Sequence, residues 1–121
     1  MKASELNHPQ DVCVRMGVEP HGHDVADKLG LSRSARSERP VHGMRIASAP
    51  GVSGWYIWSG ELSEAEDFFE PTHVAHLPDV CPLAVPFLWL PPGWRFLTDG
   101  DYVDVWHDPD LLKQQDESEP G

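Results

Sequence analysis

All five tryptophans of this chain (Trp55, Trp58, Trp89, Trp94 and Trp106), its four phenylalanines and both tyrosines fall between Gly51 and Asp108. Aromatic side chains bury the most area per residue and dominate the energetics of a core. The core is therefore expected in this stretch, and the first fifty residues are expected to lean on it. A length of 121 residues suits one domain that buries about two-thirds of its unfolded surface. The expected unit is 1–121, with a core over about 42–112, flexible tails at 1–7 and 114–121, and a mobile loop at 32–40.

Local signals place the elements. Pro9 sits where a first helical turn tolerates proline, and Val12, Cys13 and Met16 follow at helical spacing, which predicts a helix over Pro9 to Met16 stopped by Gly17. Pro20 and Gly22 mark a loop. From Val25 to Pro40 the pattern is weak: Arg33, Arg36 and Arg39 would align on one helix face, yet the serines around them suit a loop equally. These arginines offer a pairing surface for acids of the same chain. Met44–Ala47 reads as a short strand and Trp55–Trp58, between Gly54 and Gly60, as a second. Thr72 is expected to cap a helix over His73–Leu77, limited by Pro78, and a further helix is expected from Pro82 to Pro91-Pro92-Gly93. Trp94–Thr98 and Tyr102–Trp106, separated by Asp99-Gly100-Asp101, read as a hairpin. Asp108-Pro109-Asp110 begins a last helical turn. Helices inserted between antiparallel strands predict an α+β fold, with one antiparallel sheet of about four to five strands and short helices on one face.

The charge is unevenly placed. Residues 1–60 hold seven Lys/Arg against six Asp/Glu, whereas 61–121 hold only Arg95 and Lys113 against fourteen acids. The second half thus carries −12 of the total −11, offset by +1 in the first. Such a surface repels nucleic acid and anionic membranes and suits a basic protein partner, although high negative charge also serves solubility. No run of 18 apolar residues spans a membrane, and the first residues lack a secretory apolar stretch, so a cytoplasmic location is expected. Two cysteines, Cys13 and Cys81, read as reduced, buried residues rather than a disulfide framework.

Catalytic chemistry finds no clear constellation. His21 and His23, with Asp24 beside them, and His73 with His76 are the candidate metal ligands, but zinc needs three or four convergent donors and neither pair supplies them. Cys81 lies between Val80 and Pro82 ahead of an apolar run, which favours a structural thiol over a nucleophile. Asp99, Asp101 and Asp104 lack the spacing of a calcium loop. The glycines at 51, 54 and 60 precede no helix start and read as strand boundaries, not a phosphate cradle. Arg95, one of two cations in the acidic half, is expected in an ion pair or stacked on Trp94 or Trp106. No catalytic, cofactor or metal residue is assigned.

Four blocks carry a resemblance: Gly54-Trp-Tyr-Ile-Trp-Ser-Gly-Glu61, Asp67-Phe-Phe-Glu-Pro-Thr-His-Val-Ala-His-Leu77, Leu90-Pro-Pro-Gly-Trp-Arg-Phe-Leu97 and Tyr102-Val-Asp-Val-Trp-His-Asp108. Over about 42–112 the chain resembles the bacterial immunity-protein-33-like family, while 18–41 match nothing in it. The resemblance implies a non-enzymatic cytosolic inhibitor from a polymorphic toxin system, which binds and neutralises a cognate toxin. Candidate contacts for a basic toxin surface are Glu61, Glu64, Glu66 and Asp67 on one connector, and Asp99, Asp101 and Asp104 on the hairpin. The chain is expected as a monomer or weak dimer. The competing expectation is an accessory domain that holds a small ligand between sheet and helices.

Overall fold

The computed structural model describes residues 1–24 and 26–117, and the side chains of 1–24 and 26–113. Helix α1 (Pro9–Met16) forms where its caps place it. The His8 imidazole accepts from the Gln10 N–H, the Asp11 carboxylate accepts from the Asn7 and His8 N–H groups, and Gly17 closes the helix at φ 69°. Val12 and Cys13 form its buried side.

Six strands follow: β1 (Lys28–Leu31), β2 (Val41–Arg45), β3 (Val52–Ser59), β4 (Glu70–His73), β5 (Trp94–Thr98) and β6 (Val103–His107). They make one sheet in the order β4-β1-β3-β2-β5-β6. The fold is α+β with short helices packed on the sheet, as expected, but the sheet has six strands rather than four to five. It is also mixed rather than antiparallel, because β1 runs parallel to β3 while every other pair is antiparallel.

Several boundaries differ from the sequence reading, each for a physical reason. The strand expected at Met44–Ala47 lies at Val41–Arg45, where β3 and β5 flank it on both sides. Thr72 caps no helix. It stands in edge strand β4, where Pro71 is tolerated because an edge needs no outer N–H. A 3-10 turn (Val74–His76) and the one-turn α2 (Leu77–Val80) come after it. The apolar run 82–87 is a 3-10 helix, as its prolines at 82 and 86 remove the N–H groups a longer α-helix would use. In the arginine-rich segment, a 3-10 turn (Arg33–Arg36) is capped by the Ser32 hydroxyl. Residues near the start are tied to β6: the Val103 N–H donates to the Met1 carbonyl, and Leu6 is buried. Helix α3 (Asp110–Glu117) extends the expected last turn, and the remainder of the expected tail, 118–121, lies outside the described residues.

Alternation along each strand divides the sheet into two faces. On the inner face Trp55, Ile57, Val41, Phe96, Val103 and Val105 meet α1 and the 82–87 helix in one contiguous core. The Phe96 ring stacks on Phe87 with centroids 4.3 Å apart and meets the edge of Trp55 at 5.6 Å. Both cysteines are buried in this core as free thiols, and burial pushes each thiol pKa above its ordinary value.

Arg45, the last residue of β2, is buried on that face with no exposed surface. Its Nε donates to the Ser53 carbonyl at 2.9 Å, Nη1 to the carbonyls of His21, Leu88 and Leu90 at 2.8, 3.1 and 2.8 Å, and Nη2 to the Gly22 carbonyl at 3.2 Å. The guanidinium also lies 5.7 Å from the centre of the Trp55 ring. Burial pushes its pKa down to about 10, against a smaller upward pull from Asp27 and then Cys13, and it stays charged at neutral pH. Five carbonyls from three segments thus converge on one side chain, which joins the 21–22 loop and the 88–90 segment to the sheet.

Candidate functional site

The outer face of the sheet, away from α1, is built from the alternate residues of the same strands. Strand registers align Pro71, Gly30, Tyr56, Met44, Arg95 and Trp106 in one row across all six strands. A neighbouring row holds Trp58, His42, Leu97 and Asp104. A row of this kind exposes apolar area that a sheet face covered by helices would bury. Tyr56, Met44, Ile46 and Leu97 are half-buried, and Trp106 is 37% exposed.

Aromatic contacts organise this face. The His42 ring stacks on Trp58 at 5.2 Å and 11°. Phe69 meets the edges of Tyr56 and Trp58 at 5.0 and 6.2 Å, and Phe68 meets Phe69 at 4.8 Å. Trp58 is only 4% exposed yet stands outside the main core, because these outer-face neighbours cover it. Arg95 holds its guanidinium 5.7 Å from the Trp106 ring centre and 6.0 Å from that of Trp58, and its Nη1 pairs with Asp108 at 3.1 Å. The expected ion pair and the expected stacking on Trp106 both occur. Burial, and next the charge of Arg95, pull the His42 pKa below its ordinary value.

At one end of this face lies a trough of about 400 Å³. Gly30 and Gly54 form its floor, and Tyr56, Phe69, Ile46 and Ala47 are among its walls. Both glycines are required by close approach. A Cβ on Gly30 would stand 2.8 Å from Tyr56 Cδ1, and one on Gly54, whose φ is 90°, would collide with the Ile46 carbonyl oxygen.

The acids singled out in the sequence fall in three places. Glu61, Glu64, Glu66 and Asp67 are exposed on the connector from β3 to β4, which leads into Phe68 and Phe69. Asp99 and Asp101 stand at the β5–β6 turn. Because Ser59, Val41 and Thr98 are aligned in register, the connector and the turn share one end of the sheet. Asp104 lies apart from them, on the outer face opposite Leu97.

Two of these acids have local roles or neighbours that bear on binding. The Asp99 carboxylate accepts from the Asp101 and Tyr102 N–H groups at 2.9 and 2.7 Å, and these bonds hold its pKa below the usual carboxylate value. Asp67 lies close enough to Arg33 to favour that cation, although Glu70 is the direct partner of Arg33 at 2.8 Å. The arginine segment thus pairs with the acidic half, as its charge suggested. His73 and His76 meet at 5.9 Å, but among the described residues no group of three or more His, Cys, Asp or Glu could hold a metal ion.

Sequence reasoning missed Arg45, Gly30, Tyr56 and Phe69 as a set. The available signal was the pair of glycines at 30 and 54, each next to an apolar residue inside a strand, since glycine there marks close approach.

A family model described as Imm33-like domain matches residues 8–108. The chain belongs to the Imm33-like family. The bounds of the match enclose 18–41, and with them β1 and the arginine segment. The family is named for immunity proteins, and its Imm33-like domain spans all six strands seen here. Comparison with curated proteins and with solved structures finds no match. Among the described residues of this Imm33-like chain, no helix is long and apolar enough to cross a membrane.

Proposed function

We propose that this Imm33-like protein is a cytoplasmic immunity protein that binds a cognate bacterial toxin and neutralises it without catalysis. The observation that carries the reading is the family match over 8–108. The geometry supports it: a sheet with helices on one face presents an aromatic surface on the other, bordered by acids. Interfaces gain affinity from buried aromatic anchors and on-rate from complementary charge. A basic toxin surface meets both requirements. Glu61, Glu64, Glu66, Asp67 and Asp101 would steer the encounter, and Asp104 beside Trp106 would lie within the contact. The protein acts as a monomer or weak dimer in this reading.

The test is a pull-down of the tagged chain from lysate of its own host, followed by co-expression with the toxin domain it captures, co-purification and a growth assay. Rescue of growth together with a stable equimolar complex supports the reading. Rescue without a complex, or a complex that leaves the toxin active, overturns it.

A further inference from the structure

We propose that the open edge of β6 receives an extended segment of the protein partner as an added strand, with a lysine or arginine of that segment beside Asp104 and an apolar residue beside Trp106. This rests on the immunity reading and deepens it by naming the element that docks and the kind of segment it takes.

Hydrogen-bond alternation decides which backbone groups of β6 are left over. The Asp99 N–H donates to the Tyr102 carbonyl and the Asp108 N–H to the Gly93 carbonyl, so in the β5–β6 register residues 102, 104, 106 and 108 bond towards β5. Val103, Val105 and His107 turn their N–H and C=O groups away from the sheet. The Val103 N–H donates to the Met1 carbonyl and the Ala3 N–H to the Asp101 carbonyl, so the first residues cover the edge only as far as Val103. Among the described residues, no backbone carbonyl accepts from the N–H groups of Val105 and His107. An unpaired edge of this kind is a template for another extended chain, held through main-chain hydrogen bonds. The opposite edge of the sheet is blunted. The Val74 N–H donates to the Asp27 carbonyl, and alternation from that bond turns residue 71 outward, where Pro71 has no N–H to offer.

The side chains of β6 select the segment. Tyr102, Asp104 and Trp106 are exposed on the outer face and alternate with the buried Val103 and Val105. An added strand sets its own alternate side chains about 5 Å from these. Arg95 is neutralised by Asp108, and Lys2 stands at the covered end, opposite Tyr102. Asp104 forms no ion pair among the described residues and is the one carboxylate between Val103 and His107. A cation beside Asp104 and an apolar residue two positions away, beside Trp106, are complementary to both. A second copy of this chain fits worse. Pairing β6 with β6 about Val105 sets Asp104 opposite Trp106, and it brings together two halves that each carry fourteen acids against two cations.

The experiment reads amide hydrogen exchange by NMR in the full-length chain, alone and saturated with the toxin domain that it captures from its host. The Val105 and His107 amides are expected to exchange freely in the chain alone and to slow about 10-fold or more in the complex. Unchanged exchange at both in the saturated complex overturns strand addition and leaves the immunity reading intact. A chain that binds no toxin domain overturns both. Slow exchange of these amides in the chain alone, together with a dimer in sedimentation, assigns the edge to a second copy and overturns the proposal. Two variants give an independent readout. His107→Pro removes an outward N–H at an exposed position without breaking a bond to β5, and Asp104→Lys reverses the charge on the edge. A loss of affinity of about 10-fold in each, with the melting temperature unchanged, supports strand addition. Wild-type affinity in both overturns it.

Discussion

Gly43 and Phe96 face each other across the β2–β5 pair, and the Phe96 ring lies where a side chain at 43 would stand. The ring is fully buried and packs against Phe87 and Trp55, which resist its displacement. Gly43→Ala is therefore an overpacking change in a dense core, with an expected cost of about 1–3 kcal/mol. Urea unfolding measures it, and a midpoint equal to that of the wild type would contradict the crowding.

Arg45 joins three segments through five carbonyls, and a lysine cannot replace it. The ammonium has three donors on a narrower head, so at least two of the five carbonyls, which are buried or part-buried, lose their partner. At about 1–3 kcal/mol per unsatisfied group, two such losses make the expected cost of Arg45→Lys roughly 2–6 kcal/mol. Amide hydrogen exchange should quicken at 21–22 and 88–90 before it does so in β5 and β6. Uniform loss of protection across the chain would show that Arg45 is not a local clasp.

The outer face should respond to pH through His42. Its pKa lies below the ordinary value because of burial and then Arg95, and burial lowers those of His21 and His23 as well. A depressed histidine binds fewer protons folded than unfolded, so stability is full above the unfolded pKa of about 6.5 and falls as pH drops below it. His42→Phe keeps a flat ring against Trp58 and removes the titration. The fall in melting temperature between pH 7.5 and 5.0 is expected to be smaller in this variant. An equal fall would assign the effect to other groups.

Charge reversal separates steering acids from structural ones. Asp101→Lys and Glu66→Lys alter exposed side chains that accept no hydrogen bond among the described residues, so they should slow toxin association at low salt and matter less at high salt. Asp99→Lys is a poor probe of binding, because Asp99 holds the hairpin turn through two backbone N–H groups. It should lower stability as well as association. Stopped-flow association rates at two ionic strengths, read beside melting curves, distinguish the cases. Association rates of Asp101→Lys and Glu66→Lys equal to that of the wild type at both ionic strengths would remove these acids from the encounter surface.

Local chemistry was legible in the residues themselves. Helix α1 could be read from Pro9, Val12, Cys13 and Gly17, and the β5–β6 hairpin from Asp99-Gly100-Asp101 between aromatic strands. The aromatic blocks located both the core and the family. These signals act within a few residues, where caps, turns and alternation determine the backbone without help from distant parts of the chain.

Strands β1 and β4 exist only through pairing. Lys-Leu-Gly-Leu and Glu-Pro-Thr-His are four residues each, and each contains a residue that disfavours strand. They become strands because β3 offers an edge to β1, and β1 in turn offers one to β4. The outer-face row has the same origin. Pro71, Gly30, Tyr56, Met44, Arg95 and Trp106 are scattered over 77 positions of the sequence, from 30 to 106, and only strand register aligns them. The sequence by itself determined the capped helix, the hairpin and the aromatic stretch that must be buried. The tertiary structure decided which aromatics enter the core and which remain on the outer face, because that choice depends on strand order and register, set by hydrogen bonds between segments far apart in the chain.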